Sequence, residues 1–390
     1  MSGREPQPLT VTLSALPRLA PRTSSFIDVR SWVFWAGLAL TVFGIWRWTP
    51  LVVTSLSSNP TTGVLSAILW LLYGFVFLVL LYRLELFERR SPATVIGALL
   101  WGGLAGPGMG VVAAPAMHDL VAAVIGSDNP WVPSFAAPLV EEPLKLLGVL
   151  ALALIPGARV RSAADGLFYG AVVGLGFQAS EGFLYTATFS AESGTGTVTA
   201  MFLLRGIING LWSHATFTAV AGAGLGYFFN ASADLRRRIT VLVGTLALAV
   251  ALHGFFDAPI LGPNPFVSSI VKGLPVLLLF LVVLRWAHLR ERRTFAGLAA
   301  HVVPDNLVSP GDFTALATRR ARRRARRWAR KRGGYMTARA LKRLQGAQLS
   351  LLTASHEDGW GSPRTEELSR DVRILAATVD RRQAEWDSRR

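Results

Sequence analysis

Long apolar runs separated by short polar stretches dominate residues 31 to 286 of the chain. Eight can be read, at about Ser31 to Val53, Thr62 to Leu84, Ala93 to Ala114, Trp131 to Leu154, Ala164 to Phe189, Val198 to Phe229, Ile239 to Leu261 and Pro265 to Trp286. Runs of roughly 20 residues match a hydrocarbon layer roughly 30 Å thick, because lipid offers a backbone amide no partner outside its own helix. The pattern predicts an all-α, polytopic transmembrane bundle of about eight spans. Residues 1–30 are polar and read as a flexible N-terminal tail. Residues 31–286 form the transmembrane domain, with its polar core at about 131–261, and 287–390 form a basic cytoplasmic tail, partly helical or disordered. The first run is long enough to span, which favours a retained helix over a cleaved signal peptide.

Composition agrees with lipid as the solvent: 51% of positions are hydrophobic and only 16% charged, too apolar for an ordinary soluble domain. The connecting charges alternate. Arg83, Arg89 and Arg90 follow the second run, Arg159 and Arg161 the fourth, Arg236, Arg237 and Arg238 the sixth, and Arg290, Arg292 and Arg293 the eighth; the intervening loops carry Asp119, Asp128 and Glu192 instead. Positive-inside sorting then predicts an even number of spans with both termini cytoplasmic; the plasma membrane of a bacterium is the expected location. The absence of cysteine excludes disulfides, cysteine metal ligands and a thiol nucleophile. Most of the net charge of +16 lies after residue 286, and ten of the positions from Arg319 to Arg332 are Lys or Arg. A polybasic segment tethered at the membrane meets anionic lipid headgroups first, at about 1 kcal/mol per residue, so lipid is the expected partner and nucleic acid is not. Thr365 to Trp386 reads as a charged amphipathic helix.

An ionisable group at mid-membrane costs at least about 2.5 to 3.5 kcal/mol, which makes each one a candidate for function. They cluster in runs four to seven: Glu141, Glu142 and Lys145, then Glu181, then Arg205, Asn209 and His214, then His253 and Asp257. Counted from the extracytoplasmic ends, Glu141, Glu181 and His253 share a level at about 12 to 15 Å depth, while His214 comes out deeper unless its long run protrudes outward. Glu141 and Lys145, Phe177 and Glu181, and His253 and Asp257 are each four apart, so each pair lies on one helix face. Each group taken singly has a structural explanation, as a helical ion pair or a satisfied core histidine. Four acidic and imidazole groups on four consecutive spans together cost roughly 10 kcal/mol with no structural return. Pro143 loosens the helix beside the double glutamate, and the glycines at 170, 174, 176, 222, 224 and 226 permit close helix approach.

The sequences EEPLK at 141–145, FQASE at 177–181 and HGFFD at 253–257 resemble, in order, the EExxK, FxxxE and HxxxD pattern of the PrsW family of intramembrane metalloproteases. SHATFTAVAGAGLG, with His214, resembles that family's glycine-rich histidine helix. The likeness spans about Ala93 to Arg290 and extends distantly to the CAAX prenyl endopeptidases and bacteriocin-processing immunity proteins. It implies proteolysis of membrane-associated proteins, in known cases the extracytoplasmic cleavage of an anti-sigma factor. Two chemistries fit the residues. In one, His214, His253 and Glu181 bind a divalent metal, zinc first, with Asp257 joining them or orienting His253, while Glu141 takes a proton from water. In the other, metal-free, Glu141 with Glu181 polarises water and His253 stabilises the oxyanion. Glu142 is a second catalytic candidate, and Lys145, Arg205 and Asn209 are supporting groups, the last two pairing with Glu142 or Asp257 or touching substrate. Buried Glu, Asp, His and Lys also suit a proton-coupled transporter or an inactive membrane scaffold. A transporter would show repeated halves or broken helices in matching positions, and the sequence shows neither.

Overall fold

The computed structural model describes residue 29 and residues 31–84, 92–155, 160, 162–210, 213–229, 234–262, 264–299 and 307–388. The expected N-terminal tail and the loop arginines 89, 90, 159 and 161 lie outside the described residues. Those described are helical: α1 (Trp32–Ser58), α2 (Pro60–Leu84), α3 (Pro92–Leu100), a π-turn at Trp101–Ala105, α4 (Gly106–Ile125), α5 (Val132–Leu154), α6 (Ala163–Ser190), α7 (Thr195–Phe202), a second π-turn at Leu203–Ile208, α8 (His214–Phe228), α9 (Leu235–Asp257), α10 (Pro265–Ala299), α11 (Pro310–Leu316), α12 (Arg319–Asp358) and α13 (Pro363–Asp387). Among the described residues, five stretches are long and apolar enough to cross a membrane: 32–58, 60–83, 92–125, 235–257 and 265–290. Of the remaining runs read in the sequence, α5 carries Glu141, Glu142 and Lys145, α6 carries Asp165 and Glu181, and the last is broken between α7 and α8.

The bundle buries its polar helices and turns its apolar ones outward, the arrangement that lipid demands. Trp46, Leu71, Phe75, Leu278 and Val282 are exposed, on α1, α2 and α10. At the centre every residue of α6 from Asp165 to Gln178 is buried, as is every residue of α8 from Thr216 to Tyr227. Their contact is antiparallel and lined with glycine. A Cβ on Gly174 would lie 2.7 Å from the Cα of Ala215, one on Gly222 would lie 3.1 Å from the Cα of Gly170, and one on Gly226 would lie 3.0 Å from the amide of Gly166. Without side chains in between, the two backbones touch and gain dispersion contacts that lipid cannot match. Gly176 and Gly224 turn elsewhere, towards the first π-turn at Gly103 and towards Thr245 of α9.

Two departures from the expected elements have local causes. The third run is one irregular rod, 92–125, whose π-turn closes on the bond from the Gly106 amide to the Trp101 carbonyl. Pro107 follows, and it has no N–H to give the carbonyl of Gly103, so the ladder widens there. The sixth run, expected as one helix from Val198 to Phe229, is interrupted. It carries Gly206, Asn209 and Gly210 within five residues, all poor helix formers, and α8 begins afresh at His214. This removes the depth mismatch, because His214 stands at a helix start inside the bundle.

The described part of the C-terminal segment is helical. α11, α12 and α13 pack through Leu316, Leu344, Leu351, Leu352, Val372 and Leu375, and α13 covers the amphipathic stretch expected at 365–386. α12 is two helices meeting at Gly334, whose φ of 76° suits glycine. Arg319 docks this unit on the bundle, its guanidinium donating to the carbonyl of Tyr82 at 3.0 Å and to that of Arg83 at the end of α2.

Gly222→Ala should lower the melting temperature of the detergent-solubilised protein by several degrees, a cost of about 1–3 kcal/mol for overpacking. Gly244→Ala, where an added Cβ meets nothing within 4 Å, should leave it unchanged or slightly raised.

Candidate functional site

Four helices bring the polar cluster together. α5 and α9 meet where Pro138, lacking an N–H, leaves the carbonyl of Ser134 without its helical donor. Gly254 packs there, since a Cβ on it would lie 2.6 Å from that oxygen. Ser134 Oγ also donates to the carbonyl of Asp257 at 3.0 Å. This contact sets His253 and Asp257 opposite Glu141 and Glu142, as the glycine-lined contact of α6 with α8 sets His214 opposite Glu181.

Lys145 is the hub. Its ammonium gives one bond each to Glu141 Oε2 at 3.0 Å, Glu142 Oε1 at 2.8 Å and His214 Nδ1 at 2.8 Å, so all three of its protons are used. The ring of Phe177 lies 3.9 Å from the same nitrogen. Glu142 is completely buried and touches only protein, accepting from Lys145, from His253 Nδ1 at 3.0 Å and from Thr218 Oγ1 at 3.1 Å. With Nδ1 of His214 accepting from Lys145, its Nε2 carries the proton and faces Glu181 Oε2 at 2.8 Å. With Nδ1 of His253 donating to Glu142, its Nε2 faces Asp257 Oδ2 at 3.2 Å. The two imidazoles stand nearly perpendicular with centroids 5.0 Å apart, and Phe217 stacks on His253.

The sequence-predicted residues Glu141, Glu142, Lys145, Glu181, His214, His253 and Asp257 thus form one connected network. Arg205 joins it, but through Glu181 at 3.2 Å rather than through Glu142 or Asp257, and it lies over Tyr185 at 4.1 Å. Asn209 stays outside: its Oδ1 is sealed from solvent with no partner, as is Arg205 Nε. One atom each from Glu141, His214 and His253 lie within 4.8 Å of one another. Glu141 Oε2 is 3.8 Å from His214 Nδ1 and 4.0 Å from His253 Nε2. This grouping differs from the expected His214, His253 and Glu181, because Glu141 reaches between both rings while Glu181 lies against one.

Exposure shows where the cluster opens. The side chains of Lys145 and Glu142 are 0% exposed and that of His253 3%, whereas Glu141 is 15%, Glu181 19%, Arg205 26% and Asp257 36% exposed. The carboxylates therefore line a mouth above a sealed floor. Four carboxylates face two permanent cations, Lys145 and Arg205. In a low-dielectric interior a divalent cation would offset this excess of carboxylates. Two imidazoles and a carboxylate are also the donor set of catalytic zinc, so the residues fit a divalent metal.

Several contributors escaped the sequence reading. Thr218 sits four residues after His214 and reaches Glu142. Lys272, a charge within the last apolar run, donates to the carbonyl of Ala258 at 3.0 Å and closes α9 just behind Asp257. Its location in an apolar run was a usable signal. Gln178 and Ser213, which hold the helix break, carried no signal, because their meaning depends on the break.

A family model described as PrsW family intramembrane metalloprotease matches residues 90–289, which include every side chain of the network. No curated protein and no solved structure matches the chain significantly.

Lys145→Met should destabilise the protein by about 3–5 kcal/mol, because it leaves Glu142 charged and buried without its cation. Unfolding in mixed micelles, compared with the double variant Lys145→Met/Glu142→Leu, checks this: the double variant should recover most of the loss.

Proposed function

The chain belongs to the PrsW family of intramembrane metalloproteases and is an intramembrane peptide hydrolase, and from that premise we propose how its residues divide the work. The observation that carries the proposal is Glu141 lying between His214 and His253. These three would hold a divalent metal, zinc first by donor type. The metal, when bound, supplies Lewis acidity towards the scissile carbonyl and towards water. Glu142, buried and bonded to His253 Nδ1, fixes the tautomer of that ring so that Nε2 faces the mouth. Glu181 then takes the role expected of Glu141: its carboxylate lies on the mouth, touches His214 and accepts the proton of the attacking water. Arg205 holds Glu181 in place at 3.2 Å. Glu181 then passes that proton to the leaving amine, and Asp257, the most exposed of the four acids, stands 3.2 Å from His253 Nε2 at the mouth. The mouth admits an extended segment of a membrane-anchored protein, anti-sigma factors among the substrates that the family resemblance implies.

A metal-free reading also has an observation behind it. Both ring nitrogens of His214 are already engaged, and the Lys145 ammonium already neutralises Glu141. Metal content separates the two. Purified in detergent, the protein should retain about one divalent ion per chain, and His253→Ala and Glu141→Ala should lose it. Glu181→Gln should keep the ion yet cleave a reconstituted single-span substrate about 10²–10⁴-fold more slowly. Full cleavage by a preparation stripped of metal would establish the metal-free chemistry instead.

For the partners and placement we propose a bacterial plasma membrane with both termini cytoplasmic, and anionic lipid beneath α12. No Asp or Glu occurs from Phe313 to His356. Arg319 is fixed to the end of α2, and Arg323, Arg326, Arg327 and Arg330 follow it at helical spacing on the same side. Trp328, exposed beside Arg332 at 4.8 Å, suits the interface between headgroup and acyl chain. Amides 319–333 should exchange more slowly in nanodiscs containing phosphatidylglycerol than in pure phosphatidylcholine, and Arg323→Glu/Arg327→Glu/Arg330→Glu should abolish the difference.

A further inference from the structure

The glycine stripe on α6 runs Gly166, Gly170, Gly174 in steps of four, and the next position is Gln178. Along the first three steps α6 lies directly on the backbone of α8. At the fourth, α8 has stopped: His214 is its first residue, and the chain on its N-terminal side is the second π-turn and the break. A fourth glycine would leave a gap, and its carbonyl and hydroxyl neighbours would be unpaired in a dry interior. Gln178 instead spans the break. Its Nε2 donates to the carbonyl of Arg205 at 3.2 Å, and its Oε1 accepts from the hydroxyl of Ser213.

These two contacts have a specific placement. Arg205 is the residue whose guanidinium holds Glu181, and Ser213 is the residue directly before His214. Gln178 is only 2% exposed, so neither bond competes with water. Among the described residues of the break, Asn209 Oδ1 and Arg205 Nε have no partner. We infer that Gln178 is a positioning residue, a clamp joining both sides of the break so that Arg205 and His214 meet Glu181 in one geometry. The inference rests on the hydrolytic reading above and adds a group that touches neither the reacting atoms nor a metal donor.

The test uses the full chain in nanodiscs and the variant Gln178→Met, which keeps length and apolar volume but loses both bonds. Hydrogen exchange, read without substrate, should quicken about tenfold or more for amides 203–214 and stay unchanged in the remainder of α6 and α8. Cleavage of the single-span substrate should fall about 10²-fold in kcat with KM within about twofold, as expected for misplaced rather than missing groups. Ser213→Ala, which removes one bond, should lie between, and it carries the test if Gln178→Met does not fold. Wild-type exchange across 203–214, or a rise spread evenly over α6 and α8, would overturn the clamp. Because exchange needs no turnover, a wild-type protein that fails to cleave would count against the hydrolytic reading and leave the clamp to be decided by exchange alone.

Discussion

The ammonium of Lys145 must be neutralised within the bundle, and that one requirement organises the centre of the molecule. In a medium that solvates ions poorly, a buried cation survives only with its protons placed on acceptors. Lys145 places them on two carboxylates of its own helix and on an imidazole of another. Glu142 in turn binds the imidazole of a third helix. The ion cluster is thus a set of fixed angles between α5, α8 and α9, and pulling any of these helices away would strand a charge in lipid. The mouth groups Glu141, Glu181 and Asp257 are exposed to different degrees because they hang on the edge of this rigid floor.

Glycine solves the opposite problem. Polar attraction alone would not bring α6 and α8 to backbone contact, and lipid tails are no worse a neighbour than leucine. Removing the side chains along the facing stripes lets the two backbones approach until Glu181 meets His214. Where the stripe ends, the chain trades close contact for a break. The first π-turn lies against α6 just before Pro107, and the second is tied to α6 by Gln178, which donates to the carbonyl of Arg205, and by Glu181, which holds the Arg205 guanidinium.

Outside the bundle the physics changes to that of water. The C-terminal helices bury leucines and valine against each other in an ordinary hairpin, and leave their arginines outside. The basic run from Arg319 to Arg332 contributes little to the core that folds this segment, which lies mostly further along, in residues 341–375.

The sequence by itself determined that this is a helical membrane protein and which side chains make up its buried polar network. Both follow from the cost of polar groups in lipid, which is paid residue by residue and so can be read position by position: EEPLK, FQASE and HGFFD are conspicuous because, apart from Asp165 at the start of its run, nothing else in their runs is charged. It also supplied one face per helix, through spacings of four. Only the tertiary structure decided which donors face each other, placing Glu141 between His214 and His253, tying Arg205 to Glu181 rather than to Glu142 or Asp257, and breaking the sixth run before His214. Those outcomes depend on the rotation and depth of whole helices, set by contacts such as Gly174 on Ala215 and Gly254 on Ser134, which join residues dozens of positions apart and leave no periodic trace along the chain.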